Sequence, residues 1–237
     1  MCQNNLKAVI LCGGYGSRLS EETVNIPKPM VKIGKKPIVC HIIDIFTKYG
    51  IDDFLLLTGY KSSIIKKYFE KGYKNLNIQI LYTGKNSQTG GRLLRAKKQL
   101  LHENFFLTYG DGVSDINIKK LLNFHIKNKK VATVTMVKPT VRFGELKHVK
   151  NLVTSFKEKP QAESGWISGG FFVFNKEIFK FLKNDNTILE KNPMINLVKK
   201  KQLSGYKHNG FWQCMDNMRD KKILISLLAK GKAPWKN

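Results

Sequence analysis

"LKAVILCGGYGSRL", residues 6–19, runs from an unbroken apolar segment straight into three glycines and an arginine. Residues 6–12 are short, apolar and stopped by glycine. That is the pattern of a strand buried on both faces, because a helix of comparable burial needs a longer periodic stretch. The glycines that follow remove the side chains that would keep another molecule away from the backbone, so the turn is either a tight connection or a place of close approach.

Outward from this strand, residues 38–49 (IVCHIIDIFTKY) carry apolar residues at helical spacing, and Gly50 supplies a stop. "DDFLLLTGY" reads as a second buried strand. "SSIIKKYFEKG" reads as a short helix with Ser62 or Ser63 as N-cap candidates and Gly72 at its end. "NIQILYT" is a third strand, "GGRLLRAKKQLL" a helix, and "NFFLTYGDG" a fourth strand. The alternation predicts an α/β fold of Rossmann-like type, a mixed but mostly parallel sheet with helices on both faces. Ligands of such sheets bind beyond the carboxyl ends of the strands, where the glycines within residues 13–16 and 110–112 fall. In the second half, "VATVTMV", "VTSFKEK" and "WISGGFFVFN" read as strands, with helices at "IKKLLNFHIKN", "KEIFKFLKN" and "NPMINLVKKKQL". We expect one domain over residues 1–237, its halves meeting near residue 140.

Composition narrows the functions that this fold could serve. Hydrophobic residues make up 42% of the 237, enough for a sizeable core and too many for a disordered chain. No apolar run approaches the ~20 residues needed to span a bilayer, so no membrane insertion is expected. "MCQNNLKAVI" lacks the pattern of a secretory signal. Cys2, Cys12, Cys40 and Cys214 show no paired spacing, which suits reduced thiols in a cytoplasm, and the five histidines show no metal-ligand spacing. The formal net charge of +25 raises the alternative of a nucleic-acid-binding module. Yet the excess is almost all lysine. Only Arg18, Arg92, Arg95, Arg142 and Arg219 offer the planar fork on which specific base and phosphate readers rely. The lysines are spread along the chain, as on a solvated surface, and a phosphate-rich substrate accounts for them as well as DNA does.

The glycine turn is not a P-loop, since no Gly-Lys-Ser/Thr ends it. Nor is it a dinucleotide fingerprint, since "GYGSRL" lacks the third glycine. Arg18 follows the glycines at once. Lys28 stands between two prolines in "NIPKPM", so its side chain leaves a backbone of fixed direction. Backbone N–H groups, an arginine and a rigidly held lysine make a triphosphate cradle. Asp111, between Gly110 and Gly112 at the end of an apolar strand, is either an Asp-Gly turn or a carboxylate free to hold magnesium. Asp216 in "GFWQCMDNMRD" is a helix cap or, if the fold returns it beside Asp111, a second ligand. Glu158 and Lys159 in "SFKEKP" are surface charge or a strand-end pair facing a ligand. Gly169 and Gly170, adjacent in a strand, suggest close approach of a ligand or another backbone.

With the glycine loop, "PKPM", "YGDG" and "EKP", the sequence resembles the sugar-1-phosphate nucleotidylyltransferases over nearly its full length. "LSEET", "TGGRL", "YGDGV" and "GFWQ" followed by "MD" resemble their cytidylyltransferase branch. The resemblance implies transfer of a cytidylyl group from CTP to α-D-glucose 1-phosphate, with magnesium, serving deoxysugars of surface polysaccharides. It makes the first half nucleotide-binding and the second half sugar-phosphate-binding. It implies that Leu11, Cys12, Gly13, Gly14, Gly16, Ser17 and Arg18 wrap the nucleotide and that Lys28 contacts its phosphates. Ser87 and Arg92 would place the nucleotide and Gly110 would line the site. Asp111 and Asp216 would hold the metal, and Glu158, Lys159 and Gly170 would lie on the sugar-phosphate side. Arg18 and Lys28 are the catalytic candidates, and a homo-oligomer is expected. Cys12 and Tyr15 depart from the family's loop, which looks more like alanine and leucine there. "EKGYKNLNIQILYTG" is also shorter than the segment that related enzymes carry between the same landmarks, which bears on subunit assembly.

Overall fold

The computed structural model describes residues 6–100, 103–139, 145–157 and 165–236. In the first part of the chain, strand β1 (Lys7–Cys12) leads through the short helix α1 (Ser20–Thr23) to the small strands β2 (Lys32–Ile33) and β3 (Lys36–Pro37). Helix α2 (Ile38–Thr47), strand β4 (Asp53–Thr58), helix α3 (Ser62–Phe69), strand β5 (Asn77–Tyr82) and helix α4 (Thr89–Arg95) follow. Strands β6 (Asn104–Tyr109) and β7 (Gly112–Ser114) precede helix α5 (Ile118–Asn128). The remainder comprises strands β8 (Ala132–Val137), β9 (Glu145–Val149), β10 (Leu152–Lys157) and β11 (Ile167–Asn175), helix α6 (Asn192–Lys199), strands β12 (Leu203–His208) and β13 (Trp212–Cys214), and helix α7 (Met218–Ala229).

Seven strands form one sheet in the order β12-β8-β11-β6-β1-β4-β5. Strand β1 is interior and parallel to both neighbours, β4 and β6, while β4 with β5 and β8 with β12 are also parallel. Strand β11 is antiparallel to β6 and to β8, which makes the sheet mixed but mostly parallel, as expected. All six residues of β1 are buried. Successive side chains of a strand point to opposite faces, so Ala8, Ile10 and Cys12 enter one core with the α2 residues Ile38, Ile42 and Phe46. Val9 and Leu11 enter the other core, with Leu93 of α4 and Leu197 of α6. This two-sided burial is why the segment reads as a continuous apolar run rather than an alternating one.

Three local expectations are corrected. Neither Ser62 nor Ser63 caps α3; the N-cap is Lys61 in a left-handed conformation, and the Ser62 hydroxyl is bonded to Thr58 Oγ1 at 2.6 Å. "KEIFKFLKN" forms a 3-10 segment, Lys176–Phe181, instead of an α-helix. Asn175 Oδ1 accepts from the Glu177 N–H at its start, and Ile178 and Phe179 are pinned into the core before Leu182 turns extended. The α-helix in "GGRLLRAKKQLL" stops at Arg95, and Lys97–Gln99 continue as a 3-10 turn.

Candidate active site

A cleft of about 590 Å³ opens beyond the carboxyl ends of β1 and β6. Residues 11–18, 85–89, 108–112 and 168–170 line it, with Lys28, Pro29, Arg92, Glu190, Trp212, Cys214 and Asp216. It therefore gathers every sequence-derived candidate among the described residues; Glu158 and Lys159 lie outside them.

The glycines of the loop do three different jobs. A Cβ on Gly13 would meet the Arg92 guanidinium at 2.2 Å, so its missing side chain makes room for that arginine. Gly14 has nothing within 4 Å of a built Cβ and faces open space. Gly16 adopts φ +69°, a left-handed turn that a side chain resists. Gly110, whose N–H donates to Leu11 O at 3.0 Å, has no space for a Cβ between that carbonyl and Pro29, so β1 and β6 are clamped together at their ends. Ser17 opens the 3-10 turn Ser17–Leu19 that carries Arg18.

Arg92 is buried and sits behind the loop. It donates to the carbonyls of Thr58, Gly84 and Lys85 and to Thr83 Oγ1, and reaches the Gly13 carbonyl at 2.9 Å. Burial pushes its pKa down from the usual arginine value, with no carboxylate among the described residues in contact to oppose it. Ser87 Oγ donates to Thr83 O at 2.6 Å, closing the same corner. These bonds fix the backbone of the loop and of the 83–87 turn to each other.

Lys28 is the second buried cation lining the cleft. Its Nζ lies 2.7 Å from Asp111 Oδ2 and 2.8 Å from Asp216 Oδ1, so one ammonium is shared by two carboxylates. Burial alone would lower its pKa, but the charges and hydrogen bonds of Asp111 and Asp216 outweigh it and hold the ammonium above the ordinary lysine value. Asp216 is likewise pushed up by burial and pulled further down by Lys28 and Arg18, ending below the usual carboxylate range. Arg18, largely exposed, donates to Asp216 Oδ2 at 2.8 Å. The two aspartates are 105 positions apart in sequence, and the β7–β13 pair brings them together. Cys214 pairs with Gly112 across an antiparallel ladder, and the Met215 N–H donates to Asp111 O at 2.8 Å. Asn217 then caps α7, so the cap falls one residue beyond Asp216.

Among the described residues no group of three or more His, Cys, Asp and Glu could enclose a metal. Asp111 and Asp216 nevertheless fit a magnesium-like ion. Their carboxylates already converge on a single positive charge, and magnesium takes one or two protein carboxylates with phosphates and water completing its octahedron.

Cys12 belongs to the core. Its side chain is buried with α2 residues, and burial pushes its thiol far above the usual range. Tyr15 is half exposed at the rim. Its hydroxyl donates to Asn86 Oδ1 at 2.7 Å and its ring packs on Tyr60 at 5.2 Å, bridging the loop to the 85–89 wall. Gly170 has φ +77°, at a register shift in β11, and a Cβ there would meet the Tyr109 ring at 2.5 Å. The glycine pair thus admits close approach of a side chain, Tyr109, at the edge of the cleft. Sequence reasoning gave no role to Tyr109, Glu190 or Trp212, which also line it. Trp212 carried a signal in the "GFWQ" motif, whereas Glu190 in "ILEKN" carried none.

The family model for nucleotidyl transferases matches residues 7–217, from the start of β1 to the residue after Asp216. The chain belongs to the nucleotidyl transferase family. This nucleotidyl transferase is 42% identical over 254 aligned positions to the glucose-1-phosphate cytidylyltransferase of Salmonella typhi, covering 98% of the present chain and 99% of the relative. The alignment is longer than the 237-residue chain, so the relative carries residues that this chain lacks within the matched stretch. It is also 33% identical over 177 positions to the D-glycero-α-D-manno-heptose 1-phosphate guanylyltransferase of Aneurinibacillus thermoaerophilus, over 74% of this chain and 77% of that protein. Among solved structures, HddC from Yersinia pseudotuberculosis shares the fold, with a TM-score of 0.76 at 22% identity over 94% of this chain and 100% of that one. Enzymes of this family generally use a divalent metal, and no helix among the described residues is long and apolar enough to cross a membrane.

Proposed function

We propose that this nucleotidyl transferase transfers the cytidylyl group of CTP to α-D-glucose 1-phosphate, giving CDP-glucose and pyrophosphate, in the service of deoxysugar and surface polysaccharide synthesis. The observation that carries the reading is the single Lys28 ammonium held between Asp111 and Asp216 in a glycine-walled cleft. The likeness to a full-length glucose-1-phosphate cytidylyltransferase supports the choice of substrates.

A phosphate oxygen of glucose 1-phosphate attacks the α-phosphorus of CTP, and the bond from that phosphorus to the β-phosphate oxygen breaks in line. The attacking phosphate is already ionised near pH 7, so the reaction calls for no general base. Its obstacle is bringing two polyanions together and holding the charge that grows on pyrophosphate. Asp111 and Asp216 would hold magnesium, which neutralises phosphate charge and orients the reacting oxygens. Arg18 and Lys28 offset charge on the nucleotide's phosphates and on the leaving pyrophosphate. The N–H groups of the Gly13–Arg18 loop would bind the same anions, and Ser87 and Arg92 keep that loop in place. Gly110 lines the floor, and Gly170, Glu158 and Lys159 are assigned to the sugar-phosphate side.

We read residues 1–237 as one domain, because one sheet runs through both halves. We further infer a cytoplasmic homo-oligomer whose partners are CTP and a sugar 1-phosphate, not nucleic acid. The test is pyrophosphate release over four NTPs against several sugar 1-phosphates with magnesium present. Preference for CTP with glucose 1-phosphate is expected. Preference for UTP or dTTP, or for another sugar phosphate, overturns the substrate assignment and leaves the family standing. No turnover, with salt-sensitive binding to duplex DNA, would favour the nucleic-acid reading.

A further inference from the structure

Glu190 lines the same cleft as Lys28 but has a different set of partners. No lysine or arginine among the described residues forms an ion pair with it. Thr89 Oγ1 donates to its Oε2 at 2.6 Å, and the Tyr109 hydroxyl donates to its Oε1. Both donors have fixed direction. The Leu189 N–H donates to Thr89 Oγ1 at 2.9 Å, which occupies a lone pair of that oxygen and turns the threonine's own proton toward Glu190. Burial, and then the charge of Glu190, push the Tyr109 phenol well above its usual pKa, so it remains a donor.

An ionised carboxylate has about four acceptor positions, so two donors leave acceptor capacity on an exposed residue that lines the cleft. Among the described residues no cation pairs with this carboxylate, and an unpaired carboxylate repels phosphate, so this wall suits an uncharged, donor-bearing part of the substrates. Its surroundings suit a sugar ring. Tyr109 and Trp212 supply apolar faces, the Trp212 indole N–H is tied to Gly169 O at 2.7 Å, and Gly170 lets the strand backbone lie against Tyr109.

We propose that Glu190 is a specificity-determining residue that accepts hydrogen bonds from ring hydroxyls of the sugar 1-phosphate, with Tyr109 and Thr89 as the residues that position it. The inference rests on the reaction proposed above and names the wall of that cleft which reads the sugar. A sugar without the contacted hydroxyl would leave Glu190 unsatisfied, the kind of mismatch that a polar site discriminates against strongly.

The experiment compares wild type, Glu190→Gln and Tyr109→Phe in two measurements. One is steady-state kinetics with each substrate varied in turn; the other is calorimetric titration of glucose 1-phosphate. A panel of glucose 1-phosphates each lacking one ring hydroxyl, together with 2′-deoxy-CTP, locates the contact. Glu190→Gln is expected to raise the KM and Kd for glucose 1-phosphate about tenfold, the size of a lost charge-assisted hydrogen bond. The KM for CTP should stay within about twofold, with Tm unchanged. One deoxy sugar should be discriminated against by wild type and not by Glu190→Gln, and Tyr109→Phe should show a smaller change of the same kind. Unchanged glucose 1-phosphate binding in Glu190→Gln overturns the proposal. So does a raised KM for CTP coupled to indifference toward 2′-deoxy-CTP, which would put the carboxylate on the ribose. A wild type that binds glucose 1-phosphate but turns over no NTP breaks the reaction reading alone, and the calorimetric comparison then decides Glu190 independently.

Discussion

Arg92 and Lys28 are both buried basic residues beside the glycine loop, and their surroundings differ in kind. Arg92 is wrapped in backbone carbonyls and one hydroxyl, all neutral dipoles, and burial works against its charge. Lys28 is pinned between two carboxylates that raise its pKa. One guanidinium ties the carbonyls of Gly13, Thr58 and Gly84 together, so it is a fixture of the fold. The carboxylates around Lys28 hold a charge that another cation could equally satisfy. One cation therefore builds the loop, and the other belongs to the exchange of charge that phosphate chemistry requires.

The sharpest way to break this contrast is at Lys28. Lys28→Ala or Asp111→Asn should lower turnover on the order of a hundredfold or more, as loss of one preorganised charge does. Near wild-type kcat in either purified variant would remove that residue from the chemistry. Arg92→Lys should act through the fold, costing on the order of 2–4 kcal/mol in urea unfolding, because the planar fork that ties the glycine loop to the 83–85 turn is lost. Unchanged stability with a raised KM for CTP would instead make Arg92 a direct ligand contact.

His125 extends the comparison to a buried base that carries no charge. Its ring nitrogens meet Thr133 Oγ1 and Asn104 Oδ1, and burial lowers its pKa from 6.5 to about 4. The unfolded chain therefore takes up the proton first. The stability due to neutral His125 is complete above about pH 6.5 and is lost as pH falls from there toward 4, by on the order of 2–3 kcal/mol. Urea midpoints of wild type and His125→Gln across that range should diverge in slope; parallel slopes would refute the assignment. The smallest effect is expected at the front of the loop. Tyr15→Phe removes only the bond to Asn86 and should change stability by less than about 1 kcal/mol and the KM for CTP by less than about threefold. A larger rise in KM would mean that the rim, rather than Arg92, sets the shape of the loop.

Strand β1, the α2 helix and the parallel arrangement were legible because burial on two faces leaves an unbroken apolar run and glycine marks its end. Asp216 was legible only conditionally, since its meaning depends on a strand pairing that spans about a hundred residues. Gly13 shows where local reading misleads. Its missing side chain serves a guanidinium behind the loop, a contact with α4 that no local pattern announces. Glu190 was silent for a related reason. A glutamate before a lysine in a polar stretch looks like surface charge until Thr89 and Tyr109 converge on it. The 3-10 segment at Lys176–Phe181 was misread because apolar residues close together suit either kind of turn, and the decision lies in where the chain must go next.

The antiparallel insertion of β11 also fixes an order of assembly. Strands β5, β4, β1 and β6 can pair as soon as residue 109 is made, but the outer edge of β6 waits for β11, whose pairing residues begin at Phe172. Phe105, Phe106 and Leu107 sit on that waiting edge. A nascent chain of about 110 to 170 residues thus presents a flat apolar edge able to recruit a strand from another chain. Fragments ending there should aggregate, and expression should respond to chaperones over that window of synthesis.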